Sequence, residues 1–374
     1  MARRGHGEGS VYQRKDGRWV ASITLEHRKR KYFYGDTRKE VQGQLKVALH
    51  EQQQGMLATG PQQTMKVYLE NWIEQAYKPT VKLNTYVQYR SIVRHHLVPA
   101  FGNIPVQKLT PEKLRAFYRQ KLDEGSKPRT VLLIHTALRR ALEDAVKQGL
   151  VPRNVAKLVS PPRIDRYEAQ TLTVEQAEKL LGAARGSRLD ALLILALTTG
   201  MRRGELLALR WDDVDFKQSL VFVHRTMTRV GGYGYVEGEP KTRSSRRRVV
   251  LPDVALEALK KHRIDQEQEQ IKVGDKWQDK GLVFCDGYGG FFSPDMVLRK
   301  FSKLLRDIGL PRMRFHDLRH SAATILLVAG VHPKVVQERL GHSTVAMTLD
   351  VYSHVLPSMQ QEVAGKIDDL FKHQ

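Results

Sequence analysis

The chain changes its hydrophobic period along its length, and a stretch rich in structure breakers marks each change. Between residues 10 and 35, apolar and aromatic residues alternate in the β-type runs SVYQRK, WVASITLEH and KYFYG, with KDGR as a turn signal. A polar helix is predicted from about Thr37 to Gln53, and the small, polar, proline-containing GMLATGPQQT (55–64) closes this unit. The spacing then switches to threes and fours. Leu69, Trp72, Ile73 and Ala76 form one helical stripe, and Val131, Ile134, Leu138, Ala141, Leu142 and Ala145 form another. VSPPRIDRYEAQ (159–170) ends the helical pattern with two prolines. From about Leu172 the types mix. An apolar helix from Leu189 to Leu197 precedes a strand in SLVFVHR, a glycine-rich excursion (230–245) and a second strand in RRRVVLP, and several helices follow.

No single layer architecture accommodates such a pattern, so a multidomain chain is predicted. Residues 1–55 are expected to form a small α+β domain, a three-stranded sheet plus a helix, and 56–64 a linker. Residues 65–160 are expected to be all-α and 161–171 a second linker. Residues 172–374 are expected to form a mixed, mainly α domain with a small antiparallel sheet. No internal repeat stands out.

Charge narrows the partner. Lys and Arg number 62 against 40 Asp and Glu, a formal +22 with a pI near 10.0, which predicts a polyanion such as nucleic acid. A membrane partner is disfavoured, because the longest apolar run, Ala191 to Leu197, is far short of the roughly 20 residues that span a bilayer. MARRGHGEGS has no apolar stretch behind its charges and does not read as a secretory signal. A lone Cys285 excludes an internal disulfide, fits a reducing compartment and reads as a buried strand residue in LVFC.

Positive charge is dense in the N-terminal unit: from Arg3 to Lys46 there are 12 Lys and Arg against 5 Asp and Glu, with aromatic residues interleaved. Arg14, Lys15 and Arg18 are DNA-binding candidates there. Between the helical stripes, Lys82, Arg90, Arg94, Arg129, Arg139 and Arg140 read as exposed basics suited to phosphate.

Four motifs carry chemistry. In HDLRH, His316 and Arg319 fall on one helical face and His320 follows. The spacing of His316 and His320 matches that of a zinc motif, but Asp317 stands where that motif needs glutamate and Arg319 puts a cation inside it. An anion site with His and Arg donors fits the overall charge better. TTGMRRGELLALRW places Arg202 and Arg203 at a helix start, with Glu205 spaced to hold Arg202. EPKTRSSRRRVVLP puts Lys241 near a hairpin turn, followed by Arg243 and the basic run Arg246 to Arg248, which reads as a solvated edge. Last, a helix ended by Gly341 is followed by His342 and, ten residues on, by Tyr352. A tyrosine is a poor nucleophile unless positive charge and a base surround it. Two arginines, two histidines and a lysine would supply that setting for attack on a phosphodiester, whose non-bridging oxygens gain charge in the transition state.

TGMRRGEL, PKT with its downstream Arg-rich strand, HDLRH, and LGH followed by Tyr352 together resemble the tyrosine recombinases, specifically phage and integrative-element integrases. The resemblance covers the whole chain. It implies an arm-type DNA-binding domain, a core-site DNA-binding domain and a catalytic domain, in that order. Arg202 and Arg319 would clamp the scissile phosphate, and His316 and His342 would donate hydrogen bonds and assist proton movement. Lys241 would protonate the leaving 5′ oxygen, Glu205 would support Arg202, and Tyr352 would form a 3′-phosphotyrosyl bond without metal, ATP or other cofactor. It also implies a homotetramer on double-stranded DNA in a bacterial cytoplasm, with accessory bending and directionality proteins. A C-terminal segment would dock on a neighbour, and Val363, Ile367, Leu370 and Phe371 offer an apolar stripe that suits either such docking or folding back on its own domain. Three rivals are a non-catalytic DNA-binding regulator of the same fold, a type IB topoisomerase, and a metal-dependent nuclease using Asp212, Asp213 and Asp215.

Overall fold

The computed structural model describes residues 9–24, 30–53, 61–165, 167, 169–239, 245–346 and 348–349. Lys241, Arg243, Tyr352 and the apolar stripe from Val363 to Phe371 lie outside the described residues. Two compact units divide the chain, 1–166 and 167–374.

In the first unit, β1 (Ser10–Gln13), β2 (Trp19–Thr24) and β3 (Arg30–Gly35) form an antiparallel meander, with Gly17 at φ 84° making the turn after β1. Alternation along β3 turns Tyr32 and Tyr34 to solvent and Phe33 inward, as a one-faced sheet requires. Helix α1 (Arg38–Gln53) covers that face, packing Val41 and Leu45 against Ala21 and Ile23.

The helical portion comprises α2 (Met65–Asn71), α3 (Leu83–Ile92), α4 (Val98–Phe101), α5 (Pro111–Asp123) and α6 (Pro128–Lys147). Thr64 and Thr110 cap α2 and α5 through their hydroxyls, and proline stands at the start of α5 and α6, where a missing N–H costs nothing. All six residues of the predicted α6 stripe are buried. The Tyr68 hydroxyl donates to Ala141 O at 2.5 Å and Trp72 Nε1 to Asp144 at 2.9 Å, which pins α2 onto α6. One member of the earlier stripe is out of phase: Ala76 is exposed and Tyr77 is buried in its place. Residues Trp72–Tyr77 form a π-helix, whose wider turn shifts the inward face by about one residue.

The second unit contains α7 (Val174–Ala184), α8 (Asp190–Thr199), α9 (Arg203–Leu207), β4 (Val214–Asp215), β5 (Leu220–Val223), β6 (Thr226–Val230), β7 (Gly234–Gly238), β8 (Arg247–Val250), α10 (Asp253–Val273), α11 (Pro294–Asp307), α12 (Asp317–Val328) and α13 (Pro333–Leu340). Helix α8 is buried nearly all round, with α7, α10 and α12 packed against it. Its unbroken apolar run is the sequence of a central helix rather than of a surface one. β4, β5 and β8 form an antiparallel sheet in that order.

The glycine-rich excursion supplies the turn (231–233) and second strand of the β6–β7 hairpin, and Lys241, expected near a hairpin turn, lies outside the described residues. One expectation changes here. Cys285 is buried but makes only an isolated bridge to Phe291, because the chain around it turns too soon for a ladder to extend. Among the described residues no helix is long and apolar enough to cross a membrane.

Leu138 is fully buried at the centre of α6. Leu138→Ala is expected to destabilise the helical portion by about 2–5 kcal/mol, read as a lowered urea midpoint by circular dichroism.

Candidate active site

The site begins where α8 ends. Gly200 adopts the left-handed conformation (φ 62°) and its N–H bonds to Ala196 O, closing the helix. A Cβ at this position would collide with Leu340, so only glycine allows the chain to turn here against α13. Two residues later Arg202 caps the short helix α9.

Glu205, third in α9, folds back onto its cap. Its Oε2 accepts the Arg202 N–H at 2.9 Å and its Oε1 accepts Arg202 Nη1 at 2.8 Å. The predicted pairing is present, but not as a surface ion pair. Glu205 is 2% exposed, and its Oε2 also accepts Arg247 Nη2 at 3.1 Å. Burial alone would raise this carboxyl. Arg247 first, then the Arg202 backbone N–H and charge, outweigh burial and hold it below the ordinary carboxylate range. Arg202 Nη1 further donates to Ser245 Oγ at 3.2 Å, and Nη2 reaches Gly341 O at 3.4 Å.

The second arginine, Arg319, sits in the first turn of α12 and is 4% exposed. Nη1 donates to Gly200 O at 2.7 Å and Nε to His342 Nε2 at 3.3 Å. Its Nη2 is buried and has no hydrogen-bond partner among the described residues. Burial, then the charges of Arg202 and Arg247, pull its pKa down to about 9, with Glu205 opposing.

His342 follows Gly341, the left-handed residue that ends α13. Arg319 Nε can only donate, so His342 Nε2 accepts and the ring proton sits on Nδ1, 2.9 Å from Thr348 Oγ1. Burial and then Arg319 lower its pKa to about 3. His316, at the N-cap of α12, keeps solvent exposure on the rim. Desolvation by the surrounding protein, then Arg319, lower it to about 4, so both imidazoles are neutral at pH 7. Arg202, Glu205, Arg319 and His342 thus meet in one place, and His316 stands beside them. A cleft of about 960 Å³ opens alongside, lined by Arg202, Arg203, Arg229, Arg314 and His316 among others.

Sequence reasoning missed Arg247. Its side chain is only 6% exposed, and it also donates to Arg339 O (2.7 Å) and Ser245 O (3.2 Å). The signal was present in β8, where strand alternation puts Arg247 on the same face as buried Val249, while Arg248 and Val250 face the other way. Arg339 was missed too; its Nε and Nη2 donate to Thr198 O at 3.2 and 2.9 Å.

Among the DNA-binding candidates, Arg14, Lys15, Arg18, Lys82, Arg129 and Arg139 are exposed. Arg90 departs from the open surface expected of it. It is half-buried against the Tyr86 ring, 5.2 Å from the centroid, and donates to the Tyr86 hydroxyl at 3.3 Å.

Two of the three carboxylates of the metal rival, Asp213 and Asp215, are engaged. Asp213 accepts Arg225 Nη1 at 2.9 Å and the Arg210 N–H at 3.0 Å, and Asp215 accepts the N–H groups of Lys217 and Gln218. The rings of His316 and His320 cross at 88°, and no group of three His, Cys, Asp or Glu able to hold a metal ion occurs among the described residues.

Comparison with known proteins matches residues 170–359 to the Phage integrase family and residues 64–122 to the phage integrase N-terminal SAM-like domain. A protein named "Tyrosine recombinase XerC-like" from Caldanaerobacter subterraneus subsp. tengcongensis is 29% identical over 91% of this chain and 92% of its own. An "Integrase" from Streptomyces ambofaciens is 30% identical over 99% of this chain and 98% of its own. In fold, the chain resembles a lambda integrase solved as a tetramer bound to a Holliday junction (TM-score 0.56, 18% identity, covering 89% of this chain and 95% of that one). The chain belongs to the phage integrase family and is a tyrosine-type site-specific recombinase.

Arg247→Met leaves the buried Glu205 with one cation instead of two, and is expected to cost about 3–5 kcal/mol in chemical denaturation. The histidines fix the sign of a pH effect. A pKa lowered by folding means that the unfolded chain takes up the proton first. Stability is therefore unaffected above the unfolded value of about 6.5 and falls as pH drops from there toward about 4 and 3. The thermal midpoint is expected to decline below pH 6.5, and His342→Asn to flatten that slope.

Proposed function

We propose that the arginine–histidine cluster binds the scissile phosphate of DNA and that Tyr352 attacks it. The observation that carries this reading is the Nη2 of buried Arg319, which has no hydrogen-bond partner among the described residues, in a cluster where those residues place three guanidiniums around one carboxylate. Buried donors are normally satisfied. A phosphate oxygen is the ligand that would satisfy this one and balance the charge.

Arg202 and Arg319 clamp the non-bridging oxygens. His316, and His342 through its contact with Arg319, support them as neutral imidazoles able to take up a proton. The Tyr352 hydroxyl gives its proton to one of these imidazoles as its oxygen forms a bond to phosphorus, the bond to the 5′ oxygen breaks, and Lys241 gives that oxygen its proton. The 3′-phosphotyrosyl link keeps the energy of the phosphodiester, so a partner strand can be joined by reversal of the same steps. Glu205 serves by fixing Arg202. No step calls for a metal or cofactor.

Residues 1–55 and 65–160 act as the arm-type and core-type DNA-binding domains, with 56–64 and 161–171 as linkers. The net charge of +22 and the exposed Arg14, Lys15, Arg18, Lys82, Arg129 and Arg139 support that reading, and Arg243 joins the set from beside Lys241. The assembled form is a homotetramer on two DNA duplexes that integrates and excises a mobile element, aided by accessory bending and directionality proteins in the cytoplasm of a bacterial host.

Purified protein is incubated in EDTA with labelled, nicked DNA taken from beside its own gene and run on an SDS gel. An SDS-resistant adduct is expected from the wild type and none from Tyr352→Phe. Binding by both proteins with no adduct from either would instead support the non-catalytic regulator.

A further inference from the structure

We propose that Tyr167 is a positioning residue for the recombination chemistry, holding the Arg314–Asp317 turn that presents His316 and Arg319. This rests on the function proposed above. Tyr167 lies in the stretch read from sequence as a linker, three residues before the span matched by the family model.

Asp317 is the first residue of α12 and is 2% exposed. It forms no ion pair among the described residues, so its carboxylate depends on neutral donors. One oxygen, Oδ2, takes two of them: the Arg314 N–H at 2.8 Å and the Tyr167 hydroxyl at 2.6 Å. The first bond closes the turn within which His316 lies. The second comes from 150 residues away in sequence and locks that turn from outside. The Arg314 guanidinium, at the other end of the turn, stacks on the same phenol, 3.3 Å from the ring centroid. One side chain therefore grips both ends of the turn, by a hydrogen bond at Asp317 and by cation–π stacking at Arg314. Tyr167 also lines the cleft together with Arg202, Arg314 and His316.

A packing role alone would need only the ring. The residue is 46% exposed, so little apolar burial holds it, and the two polar contacts account for its placement. His316 directly precedes Asp317 and Arg319 follows two residues later, so loosening Asp317 displaces both. Small displacements of groups that contact a reacting phosphate are costly to the rate.

The test uses the full chain and the nicked substrate in single turnover. Tyr167→Phe removes the hydroxyl and keeps the stacking ring. It is expected to fold and bind DNA as the wild type does, yet to form adduct roughly 10- to 100-fold more slowly. Tyr167→Ala also releases Arg314 and is expected to be slower still. A double-mutant cycle separates positioning from general damage. Added to His316→Asn, Tyr167→Phe should slow the reaction by less than its full factor, because only Arg319 is left to be displaced; added to Lys241→Ala, the two losses should multiply. Wild-type rate in Tyr167→Phe, or full multiplication with His316→Asn, would overturn the proposal. A wild type that binds DNA but never forms adduct removes the recombination reading itself, and this one with it.

Discussion

One carboxylate organises the centre of this protein. Glu205 lies between Arg202 and Arg247, and Arg319 stands close enough for both arginines to depress its pKa. Three guanidiniums around one acid leave uncompensated positive charge in a low-dielectric setting, where mutual repulsion is strong. Backbone carbonyls absorb part of it: those of Gly200, Gly341, Arg339 and Ser245 each accept an arginine N–H. The charge that remains is what an incoming phosphate would meet.

The carbonyls come from a particular place. Thr198 and Gly200 lie at the C-terminal end of α8, the negative end of the helix dipole, and receive Arg339 and Arg319 respectively. Helix ends leave carbonyls without intrahelical partners, so arginines there satisfy acceptors and gain favourable electrostatics at once. Because α8 is packed on several sides, its end is a fixed point on which α12 and α13 converge. The apolar core and the polar site are in this sense one construction, with α8 as the shared element.

Much of this was legible in the sequence. The alternating runs of the first 35 residues became the three strands, and the α6 stripe became a buried face, because side-chain periodicity follows directly from backbone geometry. The pairing of Arg202 with Glu205 was readable from their spacing. Its burial was not, since that depends on β8 arriving from 42 residues away. Arg247 looked like part of a charged edge because its neighbours are charged; alternation put it on the face of Val249, but that this face is covered is decided only by packing. Ala76 and Tyr77 exchanged places through a π-helical turn that no composition signal announced.

The sequence by itself determined the order of the parts, the sign of the partner's charge and the identity of the chemical groups, because these depend on residue type and on spacing within single elements. Only the tertiary structure decided which of those groups meet. Gly200 O, Glu205, Arg247, Arg319 and His342 come from separate elements, and their distances are set by how helices and strands pack around α8. It decided their protonation as well. Histidines that stay neutral well below pH 6.5 and a weakened Arg319 result from exclusion of water and from the proximity of like charges, and neither cause exists until the chain has folded.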